Sequence, residues 1–252
     1  MPSEKTDAIV LRVIEFSETS LVVTMITRDL GRISALAKGA RRPKSPFESA
    51  LDLLSACRIV CLHKNTETLD ILTEAKLQRR FRSAERDLMR LYAGYYIAEL
   101  LLALTEDADP NRDLFDLTDE TLAALDAGEN VSSLVLRFEL AALRFLGHLP
   151  ALRDCVDCGK NTSETDRVAF GLLSGGVLCP ECRKGKRNIV SVSGTVMEHI
   201  RTFAEPDETK WRNGNMAMCD NGELRQVVNQ YIAHQIGHRP RMRGYLEILG
   251  KR

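Results

Sequence analysis

The chain has 252 residues, 44% of them hydrophobic and 28% charged, and 35 Lys and Arg balance 35 Asp and Glu to a formal net charge of zero. That length buries a full core and admits one to three domains, and its apolar runs are far too short for a membrane-spanning helix. Neutrality in the sum does not exclude a polyanion partner, because local fields decide where a charged ligand docks.

Read from the first residue, MPSEKTDAIVLRV lacks the apolar core of a secretion signal, so a cytoplasmic protein is the expectation. The stretches AIVLRVI (8–14), SLVVTMIT (20–27), ISALA (33–37), CRIVCL (57–62) and LDILTEA (69–75) are short, rich in β-branched residues and bounded by polar turns. Five short strands within about 80 residues leave too many open edges unless the sheet closes on itself. A five-stranded barrel of the oligonucleotide-binding (OB) type is expected over residues 1–80, and an SH3-like barrel fits the same pattern.

Between the third and fourth strands lies KGARRPKSPF, with Lys38, Arg41, Arg42 and Lys44 in seven residues and no acid among them. Gly39 and Pro43 keep this segment out of regular structure, so its side chains and amides can reach a ligand. Arg32 and the run from Lys76 to Arg90, which includes Arg79, Arg80 and Arg82, add cations that a small barrel can bring to one side. Only two aromatics, Phe16 and Phe47, occur in the first 80 residues, whereas single-strand binders that grip by stacking offer several. Binding through this region would therefore rest on phosphates, be salt-sensitive and be nearly indifferent to sequence.

From Phe81 the period changes to three and four. Ala84, Leu88, Leu91, Tyr95, Ala98 and Leu102 mark a long amphipathic helix with Ser83 as its expected N-cap. Residues 106–129 then carry nine acids against Arg112 alone, a block that can repel DNA or face a basic partner. Helical patterns follow in LFDLTDETLAALDAG and in SSLVLRFELAALRFLGH, and resume after the next segment in SGTVMEHIRTFAE, with Ser193 as N-cap, and in ELRQVVNQYIAHQIG, closing at Gly237. The basic end, HRPRMRGYLEILGKR, is expected to be partly disordered.

Residues 151–187 interrupt the helices and carry CVDCGK and CPEC, two C-x-x-C pairs separated by residues 159–178. Cys155, Cys158, Cys179 and Cys182 at that spacing predict a tetrahedral zinc site. Four thiolates leave no open position for water, so the zinc is expected to be structural. No phosphate-binding loop, dinucleotide fingerprint, nucleophile elbow or H-E-x-x-H occurs, and no catalytic residue is assigned.

The chain resembles the RecO family of bacterial recombination mediators. The likeness is carried by AIVLRVIEFSETSLVVTMIT, GRISALAKGARRPKSPFES and LTEAKLQRRFRS, by the four-cysteine insertion, and by the G-x-R of IGHRPRM. The resemblance implies an α+β multidomain protein, with an OB domain at 1–80 and an all-α domain at 81–252 that carries a zinc insertion at 151–187. It implies no enzyme but a DNA-binding mediator of repair and recombination that anneals complementary strands. With RecR it would help load RecA onto strands covered by single-stranded DNA-binding protein, at the nucleoid when active. DNA contacts fall on Lys38, Arg41, Arg42 and Lys44, and zinc on the four cysteines. An alternative is a protein-interaction scaffold of the repair machinery with an inert barrel.

Overall fold

The computed structural model describes residues 3–47, 50–62, 69–83, 87–162, 166–213, 218–219 and 221–249. His63 with the turn at 63–68, and Ala84 and Arg86 of the basic run, lie outside the described residues. The chain divides into two compact units, residues 1–129 with 242–252, and residues 130–241.

In the first unit five strands close into a barrel: β1 (Ser3–Glu15), β2 (Leu21–Thr27), β3 (Gly31–Ala37), β4 (Ala56–Leu62) and β5 (Asp70–Arg79). Their order is β1-β2-β3-β5-β4, and β4 returns to β1. All pairs are antiparallel except β3 with β5, which gives the OB-like arrangement expected from the sequence. Closure depends on the length of β1. Residues 3–9 pair with β4, residues 8–15 pair with β2, and a bulge between Val10 and Arg12 bends the strand from one to the other. The polar start, SEKTD, gives no strand signal in the sequence and pairs as an extension of β1 all the same.

Ala8, Val10, Met25, Ile33, Ile59 and Leu72 fill the barrel interior. Ile9 and Leu11 lie outside that cluster and are also buried, because helix α1 (Leu88–Leu104) packs on β1. Cover on both faces explains why AIVL reads as a continuous apolar run rather than an alternation. Gly31 closes the β2–β3 turn at φ +71°, and a Cβ there would lie 2.5 Å from the backbone of Asp109. The Thr27 hydroxyl donates to the Gly31 carbonyl at 2.8 Å and accepts from the Leu30 amide at 3.0 Å, which completes the turn.

Helix α1 begins later than its periodicity suggests. Asp87, not Ser83, is the N-cap and accepts from the amides of Met89 and Arg90. Ser83 is buried instead, where its hydroxyl donates to Asp126 at 2.7 Å. Helix α2 (Arg112–Ala127) is capped by Asn111 and ends at Gly128 in the left-handed conformation.

The second unit starts with α3 (Val131–Phe145), whose residues 133–143 are all buried, Arg137 and Glu139 among them. Arg225 reaches both carboxylate oxygens of Glu139, at 2.8 and 2.7 Å, so the buried acid is neutralised. The insertion that interrupts the helices brings β-structure of its own. It forms a three-stranded antiparallel sheet in the order β7-β6-β8, from β6 (Arg167–Gly171), β7 (Gly176–Leu178) and β8 (Ile189–Ser193). Strand β8 runs straight into α4 (Gly194–Ala204), capped by Ser193 as expected. A short α5 (Glu208–Arg212) and α6 (Gly222–Ile236), closed by Gly237, complete the unit.

Within the basic end a helix forms, α7 (Arg241–Leu249), and residues 250–252 lie outside the described residues. Within the first unit the Met242 amide donates to Glu99 at 2.9 Å, and Tyr245 packs on Tyr92 with ring centroids 5.3 Å apart. Those partners lie some 150 residues away in sequence, which is why the tail carries no local signal.

Candidate nucleic-acid interface and metal centre

The basic segment leaves β3 as a series of tight turns. Gly39 and Lys44 both adopt positive φ, +71° and +62°, and backbone bonds run from Arg42 to Gly39 and from Ser45 to Arg42. Two anchors hold it. Phe47, 3% exposed, is buried in the barrel core with Ala50 and Leu51. At the other end the Arg41 amide donates to the Thr19 carbonyl at 3.0 Å, which ties the segment to the β1–β2 turn. On this segment Lys38, Arg41, Arg42 and Lys44 are all exposed. Arg41 meets Glu15 at 3.1 Å, a pair open to solvent on both sides. Lys38, Arg42 and Lys44 form no ion pair with any described residue.

The other candidate cations are not one population. Arg32, whose side chain is 18% exposed, meets Asp107 at 2.7 Å and donates to the Leu102 carbonyl at 2.5 Å. Arg79 donates to the carboxylate and the carbonyl of Asp119. Arg28 pairs with Asp116 at 2.9 Å, and Arg112 pairs with Asp29 at 2.8 Å. The acidic block therefore binds the barrel's own arginines and fixes α2 beside the sheet. Neither role suggested by the sequence identifies that use. Arg80 is exposed and only loosely paired, 3.7 Å from Asp52, and the Arg82 side chain is exposed with no ion pair to a described residue. The structure thus carries Lys38, Arg41, Arg42 and Lys44 exposed on one loop, whereas Arg32 and Arg79 are engaged by acids of the same unit.

In the second unit the ligand atoms of Cys155, Cys158, Cys179 and Cys182 all lie within 4.8 Å of one another. The 3.8 Å between the sulfurs of Cys158 and Cys179 matches the edge of a zinc–thiolate tetrahedron, about 3.8 Å for bonds of about 2.3 Å. Each knuckle turns tightly. Gly159 takes φ +73° and its amide donates to the Cys155 carbonyl, while the Cys182 amide points at the Cys179 sulfur at 3.4 Å. Burial raises the Cys155 thiol, but hydrogen bonds from residues 179, 158 and 157 outweigh it and bring the group down to about 6. Backbone hydrogen bonding from Cys182, opposed by burial, lowers Cys179, whereas hydrogen bonds to Cys179 and Cys158 hold the Cys182 proton and push it up to about 12. A cluster of sulfurs that shares protons at these distances has the donor set and size of a site that can hold a metal ion.

Sequence reasoning underrated Phe16. Of the two aromatics in the barrel region, Phe47 is core while Phe16 is 63% exposed at the β1–β2 turn. It also had no means of finding the Arg28–Asp116 and Arg112–Asp29 pairs, whose partners lie more than 80 residues apart.

Two family models match the chain: Recombination protein O N terminal over residues 1–81, and Recombination protein O C terminal over residues 85–243. A protein of Rhodopirellula baltica named DNA repair protein RecO is 43% identical over 95% of this chain and 97% of its own. The protein of the same name from Anaeromyxobacter dehalogenans is 31% identical over 99% and 98%, and that of Moorella thermoacetica is 29% identical over 98% and 91%. Matches of this extent, with the two halves of the family in order on an OB-like barrel and a cysteine-bearing helical unit, make this chain a member of the RecO family.

Proposed function

We propose that the chain is a non-enzymatic DNA-binding mediator of repair and recombination, working at the nucleoid in the cytoplasm. It binds single- and double-stranded DNA through phosphates, with Lys38, Arg41, Arg42 and Lys44 as the principal contacts and Arg80 and Arg82 as further ones. Arg32 and Arg79 are left to hold the fold, because their guanidinium groups already satisfy acids of the same unit. The observation that carries this reading is the turn-rich loop at 38–47. It is ordered by Phe47 in the core and by the Arg41 amide at Thr19, and presents Lys38, Arg42 and Lys44 with no acid of the described residues to neutralise them. Membership of a family whose curated relatives are named for DNA repair supports it.

Backbone neutralisation suits annealing. Cations on one loop lower the repulsion between two strands while leaving base edges free to pair. In the family context, with RecR, the protein would help load RecA onto strands covered by single-stranded DNA-binding protein. The four cysteines hold a structural Zn²⁺, which supplies folding energy to the sheet of residues 151–193 and takes no part in DNA chemistry. Among the described residues no helix is long and apolar enough to cross a membrane.

The test is a salt titration of binding to labelled single- and double-stranded oligonucleotides, with annealing followed in the same samples. The double change Arg41→Ala/Arg42→Ala should reduce the slope of log K on log salt by about 1.4 on single strands and about 1.8 on duplex, for every sequence alike. An unchanged slope with an intact fold removes the loop from the interface. No DNA affinity at all in the unaltered protein would leave the scaffold reading in its place.

A further inference from the structure

We propose that Phe16 is a stacking platform for one unpaired base, and that it gives the phosphate-binding loop a preference for single strands. The proposal rests on the DNA-binding reading above and adds a residue to it. Phe16 lies at the tip of the β1–β2 hairpin with 63% of its surface exposed. Aromatic rings of this size normally bury most of their area, so this one, on an ordered turn, leaves its face available to a ligand. The turn is ordered: the amides of Phe16 and Ser17 both donate to the Ser20 carbonyl, at 3.0 and 3.2 Å, and Glu15 pairs in register with Leu21.

What joins Phe16 to DNA is its neighbour. The residue before it, Glu15, receives Arg41 at 3.1 Å, and the Arg41 amide donates to Thr19, three residues after it. The hairpin tip and the basic loop are therefore one assembled surface, held by a main-chain bond and an ion pair. The proposal seats an unpaired base of a strand held by this loop on the ring, and every base offers a π-face to it regardless of sequence. A paired base offers none, because both its faces are covered by neighbours in the duplex. The Arg41–Glu15 pair also keeps the acid next to the ring neutralised where a strand would pass.

The experiment compares the full-length protein with Phe16→Ala, Phe16→Tyr and Arg41→Ala/Arg42→Ala on a single strand, its duplex, and the same strand carrying 2-aminopurine. Phe16→Ala should weaken single-strand binding about five- to tenfold, the equivalent of about 1–1.4 kcal/mol, and abolish quenching of the 2-aminopurine. Duplex affinity and both salt slopes should stay as they were, and Phe16→Tyr should restore single-strand affinity. Equal loss on single strand and duplex, or no loss on the single strand, overturns the proposal. The two readings fail separately. A flat response of the salt slope to the arginine pair refutes the phosphate loop, and an unchanged single strand-to-duplex ratio in Phe16→Ala refutes the stacking platform.

Discussion

The proposed division of the barrel unit's cations into framework and DNA-binding groups predicts a double dissociation. In the variant Arg32→Ala/Arg79→Ala, two largely covered guanidinium groups are lost. Arg32 gives up its bond to Asp107 at 2.7 Å and one to the Leu102 carbonyl at 2.5 Å; Arg79 gives up the Asp119 carboxylate and carbonyl. Charge-assisted bonds are worth about 1.5–3 kcal/mol when buried, and exposed ion pairs about 0.2–1 kcal/mol. Asp107 is 72% exposed, so its share belongs near the lower figure, and each arginine comes to about 1–2 kcal/mol. Their partners are distinct, so the losses should add to about 2–4 kcal/mol, or roughly 4–16 °C in melting temperature for a chain of this size.

The loop variant Arg42→Ala/Lys44→Ala should behave in the opposite way. Both side chains are exposed and pair with no described acid, so stability should move by no more than about 0.5 kcal/mol. The salt slope should fall by about 1.4 on single strands and about 1.8 on duplex. Thermal melting by circular dichroism and salt-titrated fluorescence anisotropy on four samples, the unaltered protein, the two double variants and their quadruple combination, decide the matter. If Arg32→Ala/Arg79→Ala flattens the salt slope with unchanged melting, the acidic block does not hold those arginines and the division is wrong.

Removing the metal should release one zinc per chain, with proteolysis then starting inside residues 151–193, and Cys179→Ser should lose the metal outright; mass spectrometry of metal content and of the cleavage sites reads both. Cys57 and Cys61 are raised by burial to about 12 and about 11, so neither should react with a disulfide reagent at pH 8 until the barrel unfolds. Asp29 lies below its ordinary 3.8, chiefly because the Thr6 hydroxyl donates to it, with Arg112 assisting against desolvation. A lowered acid stabilises the fold above its unfolded value and loses that contribution as the pH falls through the folded one. Asp29→Asn should therefore be less stable than the unaltered protein at pH 6, with a shallower loss of stability below about pH 4, as measured by urea unfolding.

Much of the fold is written in local pattern. The five β-branched runs, the Ser193 cap and the Gly237 terminus each depend on neighbours a few residues away, and each is legible. The four cysteines are legible for the same reason, since a knuckle is a local structure and only the distance between the pairs is free. What escaped the sequence is long in range. Ser83 fits an N-cap until Asp126 is known to hold it, the HRPRMRGYLEILGKR tail is unremarkable without Tyr92 and Glu99, and strands β6 to β8 are too short to show a period. The candidate DNA loop was visible as a composition, but composition does not separate Arg42 from Arg32, which differ in what lies opposite them.

That difference bears on how a chain of zero net charge can serve a polyanion. The acids at 107, 116 and 119 are set against Arg32, Arg28 and Arg79, so these charges cancel in space as well as in the sum. In the barrel unit the loop at 38–44 keeps exposed cations that no described acid offsets, apart from Arg41, which is partly offset by Glu15. A field of that size fades within a Debye length of about 8 Å at physiological salt, so it cannot draw DNA from a distance. It acts only once a strand is close, and a few phosphate contacts of this kind are strongly weakened by modest salt. If the proposed annealing function holds, a small uncommitted patch on a neutral body suits it better than a basic surface, which would hold its product.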